Sequence, residues 1–249
     1  MSETKFKFPT EVVELPSKGL VYPEDNPLSS GQIEMKYMTA KEEDILSNQN
    51  YIEKGTVIDK LLQSLIVSKI DYKDLVVGDK NAIVIAARIL GYGKEYKFTV
   101  KGEECTVDLS TLENKELDES LYTKGVNEFP YTLPHSKNQI TFKLLTHRDD
   151  LAIVNELRGL KKISKNNSPE LSTRLKHLIT SVNGDTDVAT IREYVDNYLL
   201  AMDSRQLRNY VKSMQPDINM ETTITDSEGA EFTMEIPFTL NFFWPDVEL

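Results

Sequence analysis

Apolar and polar positions alternate at Ile33, Met35 and Tyr37, and again at Ile140, Phe142 and Leu144. A period of two predicts half-buried strands at both places. Each strand runs into a threonine three residues ahead of an acid, Thr39 with Glu42 and Thr146 with Asp149. That is capping-box spacing, in which each partner satisfies an orphan backbone N–H, so helices should begin near Ala40 and just after Thr146. Asn48, Asn50 and Gly55 mark the end of the first. The two places share residues as well as pattern. Gln32-Ile33-Glu34-Met35-Lys36-Tyr37-Met38-Thr39-Ala40-Lys41-Glu42 returns, altered, as Gln139-Ile140-Thr141-Phe142-Lys143-Leu144-Leu145-Thr146-His147-Arg148-Asp149. An echo of this length implies one supersecondary unit used twice.

The echo continues more faintly. Leu62, Leu65, Ile66 and Ser68 align with Leu175, Leu178, Ile179 and Ser181 on helices of matching apolar spacing. Asp79 opens a helix carrying Ile83, Ala86, Ala87 and Leu90, and Asp203 opens one carrying Leu207, Tyr210, Val211 and Met214. Asp is a favoured N-cap, and each spacing makes a single apolar stripe. Gly91 and Gly93 stop the first helix, Pro216 the second. Each half then closes in a hairpin, turning at Lys101-Gly102-Glu103 and at Asp226-Ser227-Glu228-Gly229. The second half also inserts a helix whose stripe is Ile191, Tyr194, Val195, Tyr198, Leu199 and Met202.

The expected fold is therefore α+β, two pseudo-repeats of strand, helices and β-hairpin over residues 32–112 and 139–249. Residues 113–138 are polar and turn-rich and should be a linker. Residues 1–31 carry Pro9, Pro16, Pro23 and Pro27, which exclude a helix and limit any strand to a short edge. They should form an extended arm with a tight turn at Ser17-Lys18-Gly19, anchored by Val12, Val13, Leu15, Leu20 and Tyr22.

Composition narrows the class. With 249 residues, 39% hydrophobic and 28% charged, the chain reads as an ordinary globular protein able to bury a sizeable core. No apolar run approaches the ~20 residues of a membrane span. The start lacks an apolar signal core, and a lone cysteine, Cys105, excludes an internal disulfide framework and fits a reducing cytoplasm. A net charge of −11 argues against a nucleic-acid partner, since such binding rests on Lys and Arg at phosphates. The charge is uneven. Pro216–Leu249 holds eight acids and no Lys or Arg, whereas Arg158, Lys161, Lys162 and Lys165 form a run without an acid. The two stretches read as a solvated face and a mobile basic loop, or, more sharply, the acidic C-terminal region docks on a basic partner surface.

Catalytic chemistry is sparse. His135, His147 and His177 show no metal-ligand spacing, and one cysteine cannot make a Cys-rich zinc site. There is no phosphate loop and no nucleophile elbow, and Gly91-Tyr92-Gly93 lacks the third glycine of a dinucleotide motif. Asp149-Asp150 is a carboxylate pair, but acids at a helix start serve the helix dipole. No catalytic residue, cofactor or metal is expected. The end is richer: Phe238, Phe242, Phe243 and the only tryptophan, Trp244, gather near Pro245-Asp246. Such a segment plugs the chain's own core, buries itself in a partner, or does both.

Three segments carry a resemblance: Val13-Glu14-Leu15-Pro16-Ser17-Lys18-Gly19, Met38-Thr39-Ala40-Lys41-Glu42-Glu43-Asp44 and Phe242-Phe243-Trp244-Pro245-Asp246. In this order, and across essentially the whole chain, the sequence resembles the T4-type bacteriophage baseplate protein family. The resemblance implies a non-enzymatic, chaperone-like tail assembly factor that promotes formation of the baseplate hub in the host cell cytoplasm. Its partners would be other phage baseplate hub proteins. It implies no catalytic residues. Some relatives carry cysteine pairs on the hairpins, suggestive of zinc knuckles; the matching stretches here hold only Cys105, so no zinc role carries over. The expected partner-contact residues are Arg158, Lys161, Lys162, Lys165, Phe242, Phe243, Trp244 and Asp246. Two alternatives stay open: a structural subunit retained in the mature baseplate hub, and a hydrolase using Asp149 or Asp150 with a histidine.

Overall fold

The structure is a computed structural model that describes residues 9–100, 102–163, 169–225, 231–237 and 242–244. The chain opens with β1 (Thr10–Glu14), which pairs antiparallel with β2 (Gln32–Lys36), Val13 lying opposite Ile33. Ile33 and Met35 face inward and Gln32 and Glu34 outward, as the alternation predicts. Between the strands the segment expected to be an extended arm is folded instead. Leu15, Val21, Tyr22 and Leu28 enter the core, and Pro27 opens a short 3-10 turn. The prolines bar a helix but not burial. At Ser17-Lys18-Gly19 the turn takes positive φ at Lys18 (51°) and Gly19 (76°). A Cβ on Gly19 would sit 2.3 Å from the Ser29 carbonyl oxygen, so this close approach requires glycine.

Three short helices follow, α1 (Ala40–Leu46), α2 (Gln49–Glu53) and α3 (Val57–Leu65). Asn48 does not merely end α1; its side chain caps α2. Then come α4 (Val77–Tyr92) and the hairpin of β3 (Glu95–Val100) and β4 (Glu103–Asp108), with Phe98 opposite Cys105. The stretch 113–138, expected as a linker, contains β5 (Phe129–Thr132), the edge of a three-stranded antiparallel sheet ordered β5, β6 (Gln139–Phe142), β7 (Ile179–Val182). A proline-bearing strand of four residues is tolerable because it lies at that edge.

The second half continues with α5 (His147–Ile163), α6 (Glu170–Leu178), α7 (Val188–Asn197) and α8 (Ala201–Met214), then β8 (Glu221–Thr225) paired with β9 (Glu231–Glu235). The helix expected to run through Met202 breaks. Ile191, Tyr194 and Val195 are buried on α7, the chain turns extended at Leu200, and Tyr198 and Met202 are exposed. The break allows Asp203 to occupy the first turn of a new helix, where it holds the His135-Ser136 backbone. The architecture is α+β, mixed helices with small antiparallel sheets. No described helix is long and apolar enough to cross a membrane.

Corresponding contacts occur in both halves. Lys36 Nζ bonds Glu42 Oε1 at 2.8 Å while Thr39 N and Oγ1 bond its other oxygen; Lys143 bonds Asp149 at 2.7 Å while Thr146 N and Oγ1 do the same. Met35 pairs with Ile66 just beyond α3, and Phe142 with Ile179 just beyond α6. Asp79, at the third position of α4, takes bonds from Ser17 N and Oγ and from Tyr22 Oη at 2.6–2.8 Å. Asp203, at the third position of α8, takes bonds from His135 N and Ser136 N at 2.8 and 2.9 Å.

The halves are interlocked rather than strung on a linker. Val77 N donates to Leu145 O, His147 N to Leu75 O, and Lys115 N to Asp217 O. Arg148 reaches across to Asp71 and Asp74 at 2.9 and 2.8 Å. The hydrophobic core runs continuously through both halves.

Candidate functional site

Asp149, Asp150, His147 and His177 are engaged in holding the fold. Asp149 receives Lys143 and the Thr146 cap, and Asp150 receives Arg174 Nη1 at 3.2 Å. The His147 ring pairs with neither of these acids. It is buried against Tyr72, with Nδ1 3.2 Å from Lys80 Nζ and Nε2 3.5 Å from Asp59. Burial, reinforced by the Lys80 charge, lowers its pKa and favours the neutral ring. His177 contacts Glu156 at 3.0 Å, and Arg192 grips both Glu156 oxygens at 2.7 and 2.8 Å. The Arg192 fork, working against burial, holds Glu156 down at about 2. The side chain of His135 is exposed on its turn. Among the described residues, no group of three or more His, Cys, Asp or Glu side chains could hold a metal ion. Cys105 is buried on β4, inward-facing like Val107.

The expected contact residues separate into two groups. Arg158, Lys161 and Lys162 are exposed along the C-terminal part of α5. Cations there also complement the helix dipole, a local function independent of any partner. Lys165 lies outside the described residues, as does Asp246. The aromatic tail is another matter. Phe242 and Phe243 are 2% and 4% exposed. The Phe242 ring stands edge-on to Tyr96 at 5.0 Å, and Phe243 stands edge-on to Phe242 at 5.1 Å. Tyr96 Oη donates to Pro237 O at 2.8 Å, and the half-buried Trp244 donates its Nε1–H to Leu46 O at 3.2 Å. Of the settings open to this tail, its described residues Phe242 and Phe243 occupy the chain's own core. Phe242 and Phe243 are therefore removed from the contact surface, because aromatic area already buried inside offers nothing to a partner.

A cleft of about 290 Å³ lies between α6 and α8. The α6 wall carries Leu171, Arg174, Leu175 and Leu178, and the α8 wall Arg208, Val211, Lys212 and the C-cap residue Gln215. Both sets follow i, i+3, i+4, i+7, the spacing of one helix face. Leu145, Lys115, Asp217 and Glu235 complete the lining. The pattern was present in the sequence, but each face mixes leucine or valine with a cation, so neither stands out as an apolar stripe. Apolar side chains are also exposed where α7 meets α8, at Tyr198, Leu200 and Met202.

Compared with protein-family models, with curated proteins and with solved structures, the chain matches none.

Proposed function

We propose that this protein is a non-enzymatic bacteriophage tail assembly factor that promotes formation of the baseplate hub through protein–protein contacts in the infected host's cytoplasm. The observation that carries the reading is where its functional groups lie. Asp149 is engaged in a helix cap, Asp150 and His177 in contacts with Arg174 and Glu156, and His147 in a contact with Asp59 of the first half. The groups at the surface include cations on α5, a cation-rimmed cleft, and apolar side chains at the α7–α8 junction. Surface apolar groups set beside charge serve recognition rather than bond-making. The resemblance of the proline-bearing start, the strand-and-cap segment and the aromatic end supplies the phage context.

A tagged copy isolated from infected cells is expected to bring a hub subunit with it, and loss of the protein is expected to stop hub formation. Failure of both would end this reading. Mass spectrometry of purified virions should find the protein absent; stoichiometric presence would instead make it a structural subunit of the hub.

A further inference from the structure

The α6–α8 cleft concentrates positive charge on a chain whose formal net charge is −11. Lys115, Arg174, Arg208 and Lys212 all line it, against two acids, Asp217 and Glu235. Asp217 is already held, accepting from Asn81 Nδ2 and from Ile218 N at 2.9 Å, with Lys115 at 3.9 Å. Arg174 is shared between Asp150 and Glu170 at 3.2 and 3.4 Å. The α8 cations are different. Among the described residues, Arg208 bonds only the Ser204 carbonyl of its own helix at 3.3 Å, and Lys212 bonds nothing. Four residues apart on one face, they stand over a floor that includes the buried Leu175 and Leu178, with Leu171 exposed beside it. Like charges at this spacing weaken a helix slightly, so an anion between them would relieve repulsion as well as pair.

We propose that this cleft docks an acidic segment of a partner protein, with one or two apolar side chains seated on the leucine floor and carboxylates paired to Arg208 and Lys212. The chemistry is complementary on both counts. A guanidinium fork matches a carboxylate, and helix grooves take apolar anchors at helical spacing. The volume agrees as well. At about 290 Å³ the cleft lies at the small end of ligand pockets, which suits a few side chains better than a cofactor. Among the described residues no aromatic side chain lines it, so these walls offer none of the stacking platform that single-stranded nucleic acids use. Glu235 gives the site polarity, because it repels acid at its end and favours a neutral or basic residue of the segment there.

The inference does not depend on a role in hub assembly, and its test does not use phage. A random peptide library is panned over the immobilised full-length protein, and the enriched peptides are synthesised and titrated by fluorescence polarisation. Enrichment of sequences that alternate Asp or Glu with Leu, Ile, Met or Phe is expected. Their affinity should fall at least about tenfold in the Arg208→Glu, Lys212→Glu double variant, and should fall with rising salt. Both substituted side chains are exposed, so an unchanged melting temperature should accompany the loss. If melting shifts, the Arg208→Gln, Lys212→Gln variant replaces it, with a smaller loss expected. No enrichment, enrichment without acids, or equal binding by the variants would overturn the proposal. Displacement of the peptides by a single-stranded oligonucleotide at equal concentration would assign the cleft to nucleic acid and overturn it too.

Discussion

The starts of α4 and α8 solve the same problem with opposite electrostatics. Each places an aspartate at its third position, shielded from solvent, to grip a turn of related sequence. For Asp79 the turn is Leu15-Pro16-Ser17-Lys18; for Asp203 it is Leu133-Pro134-His135-Ser136-Lys137. The lysine of each turn takes positive φ, 51° at Lys18 and 60° at Lys137. Asp79 is raised above the ordinary 3.8, because burial outweighs the donors from Tyr22 and Ser17 and the Asp217 charge adds to it. Asp203 moves the other way: burial again opposes its charge, but the His135 and Ser136 donors outweigh it. The cause is what covers each helix start. Next to Asp79, Gly78 lies under the chain leaving α8, so close that a Cβ would fall 1.7 Å from Pro216 O. Next to Asp203, Met202 is 61% exposed. The same clasp is thus deep in one half and shallow in the other, and the depth is set by the other half's chain.

The contrast can be broken most directly at the aspartates. Asp79→Ala should cost about 3–5 kcal/mol, since it strands two hydroxyls and an N–H in the core. Asp203→Ala should cost about 1–2 kcal/mol, because water can reach the exposed turn it releases. Urea unfolding of both variants measures the difference; equal losses would show that depth does not distinguish the clasps.

Next in size is the residue beside each. Gly78→Ala should destabilise by about 2–3 kcal/mol, because its methyl meets backbone rather than a movable side chain. Met202→Ala should stay within about 0.5 kcal/mol, as for exposed positions generally. Thermal melting of the pair tests whether only the α4 start is roofed.

The smallest effect is in pH. Asp203 has a lowered folded-state pKa, so its charge stabilises above about 4 and that contribution fades as pH falls. The penalty of Asp203→Asn should therefore shrink on acidification. Asp79 has a raised folded-state pKa, so the folded state binds its proton more tightly and its contribution declines as pH rises from about 4. The penalty of Asp79→Asn should shrink toward neutrality instead. Urea midpoints at several pH values would show the two slopes; slopes of the same sign would remove the electrostatic half of the contrast. His147 moves with Asp203. Its lowered pKa means that stability is fully present above about 6.5 and is lost as pH falls below it, because the unfolded chain takes up the proton first.

Much of this was legible in local pattern. The Thr39–Glu42 and Thr146–Asp149 caps, the alternation in β2 and β6, and the β3–β4 pairing all lie where spacing put them. Neither clasp follows from local spacing, which reads Asp79 and Asp203 as N-caps, whereas the structure puts Val76 and Leu200 there and each aspartate at the third helical position. Leu-Pro-Ser-Lys and Leu-Pro-His-Ser-Lys differ by one inserted residue, which slips the register between them, and the second of these turns sits inside a polar stretch that reads as linker. Pro130 hid β5 for a related reason, since a proline weakens a strand reading unless the strand is known to be an edge. The stripe from Ile191 to Met202 misled because periodicity does not report that a helix breaks where a buried aspartate must begin the next one.

The sequence by itself determined the elements whose cause lies within a few residues: capped helix starts, alternating strands, and the glycines where the chain turns sharply. In these the interacting groups are neighbours, so spacing alone states the contact. The tertiary structure decided the rest, because the contacts join groups far apart in the chain. Ser17 meets Asp79 across 62 positions, Tyr96 meets Pro237 across 141, and Trp244 meets Leu46 across 198. Whether the aromatic tail faced a partner or its own core, how deeply each aspartate lay, and which cations came to share a cleft were settled only when those distances closed.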